Sequence, residues 1–322
     1  MTKIIWRLVN VGFWKETTRW TKVAMATWTP KTELTFQDKA EYIEDESSLW
    51  TIFATNDTFV SKTKGEWDIW GNVRLNDLWF VLLATLWSVS SAVSTAGAYK
   101  HIFTALASNT HPSLTIWVSD PIEWDISFPL SMLNSLTISW EANGFITYTA
   151  SFMSKKSESA THTVAYTTDY TLRTGNGWLY IADTLAEIGV ADSNCIKSFE
   201  INFEKNLEEN NCLFSTSPVD FINKAFTVTW SFTADFENTA LKNYNLNWVK
   251  KALRIAFIDN NTTIWVSDNP TLQFDLSKVW FTEYDKQMWN DEIVSQTVTF
   301  TAYQWDDGKF VETTVINTKS SY

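Results

Sequence analysis

The side chains able to do acid–base or metal chemistry are few and scattered. Three histidines, His101, His111 and His162, stand apart, with no HxxxH or HExxH partner. Glu41, Glu44, Asp45 and Glu46 crowd one stretch, a pattern that suits paired carboxylates or, more simply, a solvated loop. Cys195 and Cys212 lack CxxC spacing, and two thiols cannot build a disulfide framework, so they read as free thiols of unassigned role. No GxSxG, P-loop or GxGxxG is present, and nine glycines leave little room for one. Asp120 before Pro121, and Asp268 shortly before Pro270, recur as a pair. An Asp at such a place serves a turn by bonding the backbone. A position used twice suggests architecture, not a single active centre. The expectation is a protein that is no enzyme, with no catalytic, cofactor or metal site.

Those two Asp–Pro places belong to a longer repeat. TIWVSD occurs at Thr115, Ile116, Trp117 to Asp120 and again at Thr263, Ile264, Trp265 to Asp268. Trp117 and Trp265 are 148 residues apart, about one domain length. The expectation is an internal duplication.

The elements that must carry it show mostly period-two patterning, the mark of half-buried strands. Residues 1–33 read as irregular, with turn-like pieces at 12–15 and 29–31. Residues 33–41 alternate through Leu34 and Phe36. Residues 42–64 form a long excursion, with a hairpin as one option, and long excursions are usually functional. Its candidate functional residues are the acids Glu44, Asp45 and Glu46 and the apolar Ile52, Phe53, Phe59 and Val60. Residues 66–74 read as a strand, and 78–86 as a helix capped by Asn76 or Asp77. Residues 88–98 read as a loop, and 99–107 with 113–119 as a hairpin. A strand pair, 132–140 and 145–153, turns at Asn143-Gly144. Residues 154–194 connect, with a short helix at 183–188. The order then repeats: strand 197–204, polar loop 206–211, strand 225–236, helix 238–248, and strands 251–258, 263–267, 274–284 and 293–303. The expected fold is mainly β: two tandem antiparallel β-sandwich or barrel units, each with one flanking α-helix. Residues 1–160 form the first with an N-terminal arm, and 161–322 the second.

Composition bounds the class. The 322 residues are 45% hydrophobic and 19% charged, a globular balance. The net charge of −12 repels nucleic acid and anionic membrane at long range. It still allows DNA to be passed without sticking. MTKIIWRLVN does not read as a signal peptide, and the apolar run 78–86 is far below the roughly 18–20 residues of a membrane span. Glycine is rare, 9 residues, and Trp abundant, 19. Trp14, Trp20, Trp50, Trp87 and Trp305 all fall where the local sequence asks for a turn residue, a task for Gly. Either this is a Trp-rich β-protein, or many Trp are UGA codons read as glycine in the source.

The stretch GFWKETTRWTKVAMATWTPKTELTF, with Trp14 and Trp20 taken as Gly, resembles the opening of long-tailed phage major tail tube proteins. The resemblance continues through IEDESS, GNVR, LLATLWSVSS, YKHIFT…HPSLTIWVSDP, FPLSMLNSL, YTASFMSKK, NKAFTVTWSF, NWVKKALRI and FTEYD…NDEIVSQTVTF, essentially the whole chain. It implies a structural virion protein made in the host cytoplasm. Its copies would form rings whose inner sheets join into a channel, and the rings would stack into a tube, with Glu44, Asp45, Glu46, Ile52, Phe53, Phe59 and Val60 as candidate contacts between rings. The implied partners are the protein itself, the tape measure protein and tail-end proteins, with DNA passing through the lumen unbound and no membrane contact. Two units per chain suggest a trimeric ring with pseudo-sixfold symmetry; a hexamer with the second unit outside is the competitor. Two other classes stay open: a carbohydrate-binding β-sandwich using exposed aromatics, and a secretion-system tube component of similar fold.

Overall fold

The computed structural model describes residues 5–24, 27–47, 50, 52–109, 111–122, 124–189, 195–265, 267–290, 292–304 and 310–322. The first half runs β1 Asn10–Lys15, β2 Thr27–Thr29, β3 Glu33–Leu34, β4 Gln37–Asp45, β5 Asp57–Asn72 and α1 Trp79–Leu86. It continues with β6 Ser88–Thr95, β7 Ala98–Thr104, β8 Leu114–Asp120, β9 Trp124–Glu141, β10 Thr147–Lys155 and β11 Glu158–Ser159. The second half runs β12 Gly177–Ala182, β13 Ile196–Glu204, β14 Leu207–Asn210, β15 Asp220–Asn223, β16 Thr227–Asp235 and α2 Ala240–Leu246. β17 Lys250–Ile258, β18 Thr271–Gln287, β19 Ser295–Ala302 and β20 Glu312–Asn317 complete it.

Alternation sets the faces. In β10, Tyr148, Ala150 and Phe152 are buried while Thr149 and Ser151 look the other way. In β16, Val228, Trp230 and Phe232 are buried against outward Thr229, Ser231 and Thr233. α1 is apolar on every side and buried along its whole length, packed among β9, β7 and β1. α2 buries only Leu241 and lies against β18.

One antiparallel sheet holds the molecule together. β3 and β4 together line β5, from Glu33 opposite Trp70 to Asp45 opposite Asp57. β5 pairs with β10, and β10 with β9. The second half repeats that order, β13–β16–β19–β18. Both sets carry a bulge at the matching place. Asn134 of β9 is skipped against β10, and Thr282 of β18 is skipped against β19, again 148 residues apart. The two sets are then sewn edge to edge within the chain: β9 pairs with β13, from Glu141 opposite Ser198 to Ser135 opposite Glu204.

The N-terminal halves of β9 and β18 leave this sheet for a second layer. There β9 meets β8, which meets β1 and then β2. There β18 meets β17 on one edge and β20 on the other, and β20 runs on to β7 and β6. A single hydrophobic cluster fills both halves, from Phe13 and Phe80 to Phe274 and Phe300.

The structure corrects some sequence expectations. Residues 10–15 and 27–29 are strands; Trp14 is therefore not a turn residue but pairs with Thr115. Residues 88–95 are a strand that pairs with β7, so 99–107 and 113–119 do not form a hairpin. β7 takes β6 and β20 as partners, and β8 takes β1 and β9. Residues 263–267 are not a strand. Both edges of β18 there are already occupied by β17 and β20, and the backbones of Ile264, Trp265 and Asp268 close on one another in a tight turn instead. In pairing, β17 fills the place of β8 rather than that of β7. Trp305 and Val266 lie outside the described residues.

Candidate functional site

The joined sheet presents a broad polar face. Its outward side chains are mostly hydroxyls, joined across strands. Thr137 Oγ1 donates to Asn202 Oδ1 at 3.2 Å, Ser139 and Thr147 hydroxyls lie 3.1 Å apart, and Thr233 and Thr297 hydroxyls 3.2 Å apart. Among them stand acids: Asp68, Glu200, Glu204, Glu283 and Asp285. Lys197, beside this face, is held 2.6 Å from Asp235. The chemistry is that of a hydrated, weakly acidic carpet with little to grip an anion.

The sheet has two open ends. No strand among the described residues pairs with the outer edge of β3 and β4, nor with that of β18 beyond Phe281. Exposed edges invite pairing with another chain.

Two hairpins project beside each other. The distal part of β4–β5 carries Tyr42, Ile43, Phe59 and Val60, all exposed, with Ile52 at 98% and Phe53 at 76% accessible beyond them. Glu44, Asp45 and Glu46 of the same hairpin are exposed as well. The shorter β14–β15 hairpin ends in exposed Leu213 and Phe214. The two are locked at their bases. Lys64 Nζ lies 2.5 Å from Glu209 and 2.7 Å from Glu66, and Lys62 joins Glu209 and Glu41. Burial opposes the charge on Lys64, but Glu209 and Glu66 outweigh it and hold the ammonium well above its usual value. Thr63 N donates to Thr216 O at 2.7 Å.

The N-terminal motif explains how this surface is braced. Glu16 is buried and accepts from Leu130 N at 2.8 Å, Trp20 N at 3.0 Å, Thr115 Oγ1 at 3.1 Å and the Ser113 hydroxyl. Leu130 sits at φ +54° where β9 bends from one layer to the other, so Glu16 fixes that bend. Arg19 donates to Asp220 at 2.5 Å, Phe221 O at 3.0 Å and His111 O at 2.8 Å, tying the N-terminal segment to the β14–β15 hairpin. Neither role was visible from composition or spacing. Lys205, fully buried, caps Ala84 O at the end of α1 and sits 2.9 Å from His111 Nδ1. Burial, with Lys205 and Arg19 nearby, pushes His111 down to about 2.

The repeated hexapeptides fall in unlike settings. Thr115, Ile116 and Trp117 are buried in β8. Asp120 accepts from Ile122 N at 2.8 Å around the exposed Pro121 turn. In the second copy Ile264 N donates to Asp268 O and Asp268 N to Trp265 O, both at 2.8 Å. Thr263 is exposed beside them, and Pro270 O accepts from Asp259 N at 3.0 Å. The Asp268 carboxylate accepts from Ser94 and Thr95, and the Trp265 ring covers Gly97, so this turn docks on the tip of the β6–β7 hairpin. Cys195 and Cys212 are exposed free thiols. Among the described residues no helix is long and apolar enough to cross a membrane.

A polar sheet with two open edges, flanked by apolar hairpin tips, defines a structural subunit built to associate with further chains. The family model described as phage tail tube protein matches residues 7–302, and the chain belongs to that family. It is a structural component of the virion tail, not an enzyme, made in the host cytoplasm and assembling with its own copies and other tail components into a tube. A comparison with curated proteins gives no match.

Proposed function

We propose that three chains close into a ring with pseudo-sixfold symmetry, that rings stack into the tail tube, and that the polar sheet face lines the channel through which DNA leaves. The observation that carries this is the β9–β13 join. It places two sheets of the same pairing order side by side in one continuous sheet, as neighbouring subunits of a ring would be placed. A hexamer of chains with the second unit outside is disfavoured by the same fact, since that unit shares the sheet. The chain is a duplication in this reading, with units 1–160 and 161–322. The repeated strand order and the matched bulges support it, whereas the hexapeptide does not. An acidic, hydroxyl-rich wall suits DNA transit, because like charges prevent capture. During assembly the same lumen would hold the tape measure protein, and the ends of the tube would meet tail-end proteins. The apolar tips around Ile52 and Phe53 are the candidate contacts between rings. Native mass spectrometry with electron microscopy of the purified protein tests the stoichiometry: rings of three chains are expected, and rings of six chains refute it.

A further inference from the structure

We infer that neighbouring copies join at one register, Glu33–Lys39 of one chain antiparallel to Glu283–Trp289 of the next, with Gln37 opposite Asp285. This rests on the ring reading above and adds to it which residues meet. The internal join is the template. Ser198 of β13 lies opposite Thr233, which lies opposite Thr297 of β19. Glu33 lies opposite Trp70, which lies opposite Thr149 of β10. Glu33 therefore holds the place in its sheet that Ser198 holds in the other, and Gln37 that of Asn202. At the far end the matched bulges equate Thr137 with Asp285 and Ser135 with Glu283. Within the chain Asn202 faces Thr137 and Glu204 faces Ser135. Transferring those pairs sets Gln37 against Asp285 and Lys39 against Glu283.

The transferred register passes checks that were not used to build it. Directly opposed residues in antiparallel strands share a face. Thr35, Gln37 and Lys39 point to the polar side, as do Gln287, Asp285 and Glu283. Lys39 meets a carboxylate. Half-buried Leu34 falls opposite Met288, which is 69% exposed in the single chain, with Trp289 beside it at 71%. A one-residue slip would turn each polar-side residue toward the core. A slip of two that sets Gln37 against Glu283 would bring Lys39 to Phe281, which is buried and whose carbonyl already accepts from Asn245 at 2.7 Å.

Cysteine pairing tests the register. In a Cys195→Ser, Cys212→Ser background, Gln37→Cys is combined with Asp285→Cys, and assembled protein is oxidised. Opposed Cα atoms lie about 4.5–5.5 Å apart, inside the roughly 4.4–6.8 Å span of a disulfide, whereas diagonal neighbours at about 7–8 Å fall outside it. Covalently closed trimers on a non-reducing gel are expected. The control pairs Gln37→Cys with Glu283→Cys, and Gln37→Cys with Gln287→Cys, should give little cross-linking. Rings that form but link at a control pair, or at none, overturn the register and leave the ring standing. Failure of the parent chain to form rings by electron microscopy overturns both.

We propose that Trp20, Trp50, Trp87 and Trp248 are glycine positions, encoded by UGA codons that the source reads as glycine. Among the described residues, four of the eight non-glycine residues at positive φ are these Trp, at +70°, +62°, +67° and +58°. That region suits glycine and strains a bulky side chain. Trp87 and Trp248 each follow a helix. Trp248 N donates to Asn245 O and Val249 N to Tyr244 O, the helix-ending pattern that favours glycine at this position. By contrast Trp79 lies within α1 and Trp230 within β16, and neither is among the positive-φ residues. The gene should carry UGA at the four positions and UGG at Trp79 and Trp230, and peptides from virions should show glycine at the four. UGG at Trp20, Trp50 and Trp87 overturns the proposal.

Discussion

Replacing Trp248 by Gly and by Ala separates backbone strain from lost packing. The residue sits at φ +58°, with 73% of its surface exposed and its ring 5.2 Å from that of Trp280. A left-handed conformation costs a residue with a Cβ about 1–2 kcal/mol. Trp buries up to about 150–250 Å² when fully enclosed, so the quarter that is covered here is about 50 Å², or about 1 kcal/mol. Both variants lose that packing. Only the Gly variant sheds the strain. The expected result is a Gly variant about as stable as the parent, and an Ala variant less stable than Gly by about 1–2 kcal/mol, a difference of roughly 2–4 °C or less in melting midpoint for a chain of this size. At an ordinary position the order is reversed, with Ala favoured by about 0.5–1 kcal/mol. Trp178, which lies in a β-strand and is not among the positive-φ residues, is the control where Ala should match or exceed Gly. Thermal and urea unfolding followed by circular dichroism reads the difference. An Ala variant at 248 equal to or more stable than Gly refutes the strain argument.

Asp77 and Asp169 give a pH dependence. Burial, reinforced for Asp77 by the neighbouring Asp169, pushes them up to about 7 and about 6. Because the folded chain holds these protons more tightly than the unfolded one, the penalty for ionising them is full above pH about 7 and absent below about 4; urea midpoints should rise as pH falls through that window, and Asp77→Asn should raise stability at pH 8 and flatten the profile. Glu16→Ala strips acceptors from Leu130 N and the Thr115 and Ser113 hydroxyls. With about 1–3 kcal/mol for each buried donor left unsatisfied, several kcal/mol should go, seen as a large drop in melting temperature that Glu16→Gln partly restores. Deleting residues 52–60 removes the apolar hairpin tip; folded rings should persist in electron micrographs while tubes fail to grow, and normal tubes would exclude the tip from ring stacking.

The sequence by itself determined what depends on neighbours along the chain. Alternation wrote β5, β10, β16 and β19, the Asn143-Gly144 turn closed β9 onto β10, and an apolar run without charges made α1. The excursion over residues 42–64 showed no clear period in the letters, with a hairpin only one option, and it is the pairing of β4 with β5 that makes it one. The turn demand at Trp20, Trp50 and Trp87 also showed in the letters, because φ there is a local matter, whereas Trp14 proved to be a strand residue and Trp248 was not singled out. Tertiary structure alone decided which edges meet. Nothing near β13 says that it pairs with β9, or near β20 that it pairs with β7, since those contacts depend on which edges remain free once the rest has folded. TIWVSD makes the point within one chain. At Thr115–Asp120 it finds open edges on β1 and β9 and becomes a buried strand; in the second copy the edges of β18 are taken, and Ile264, Trp265 and Asp268 are held in a turn.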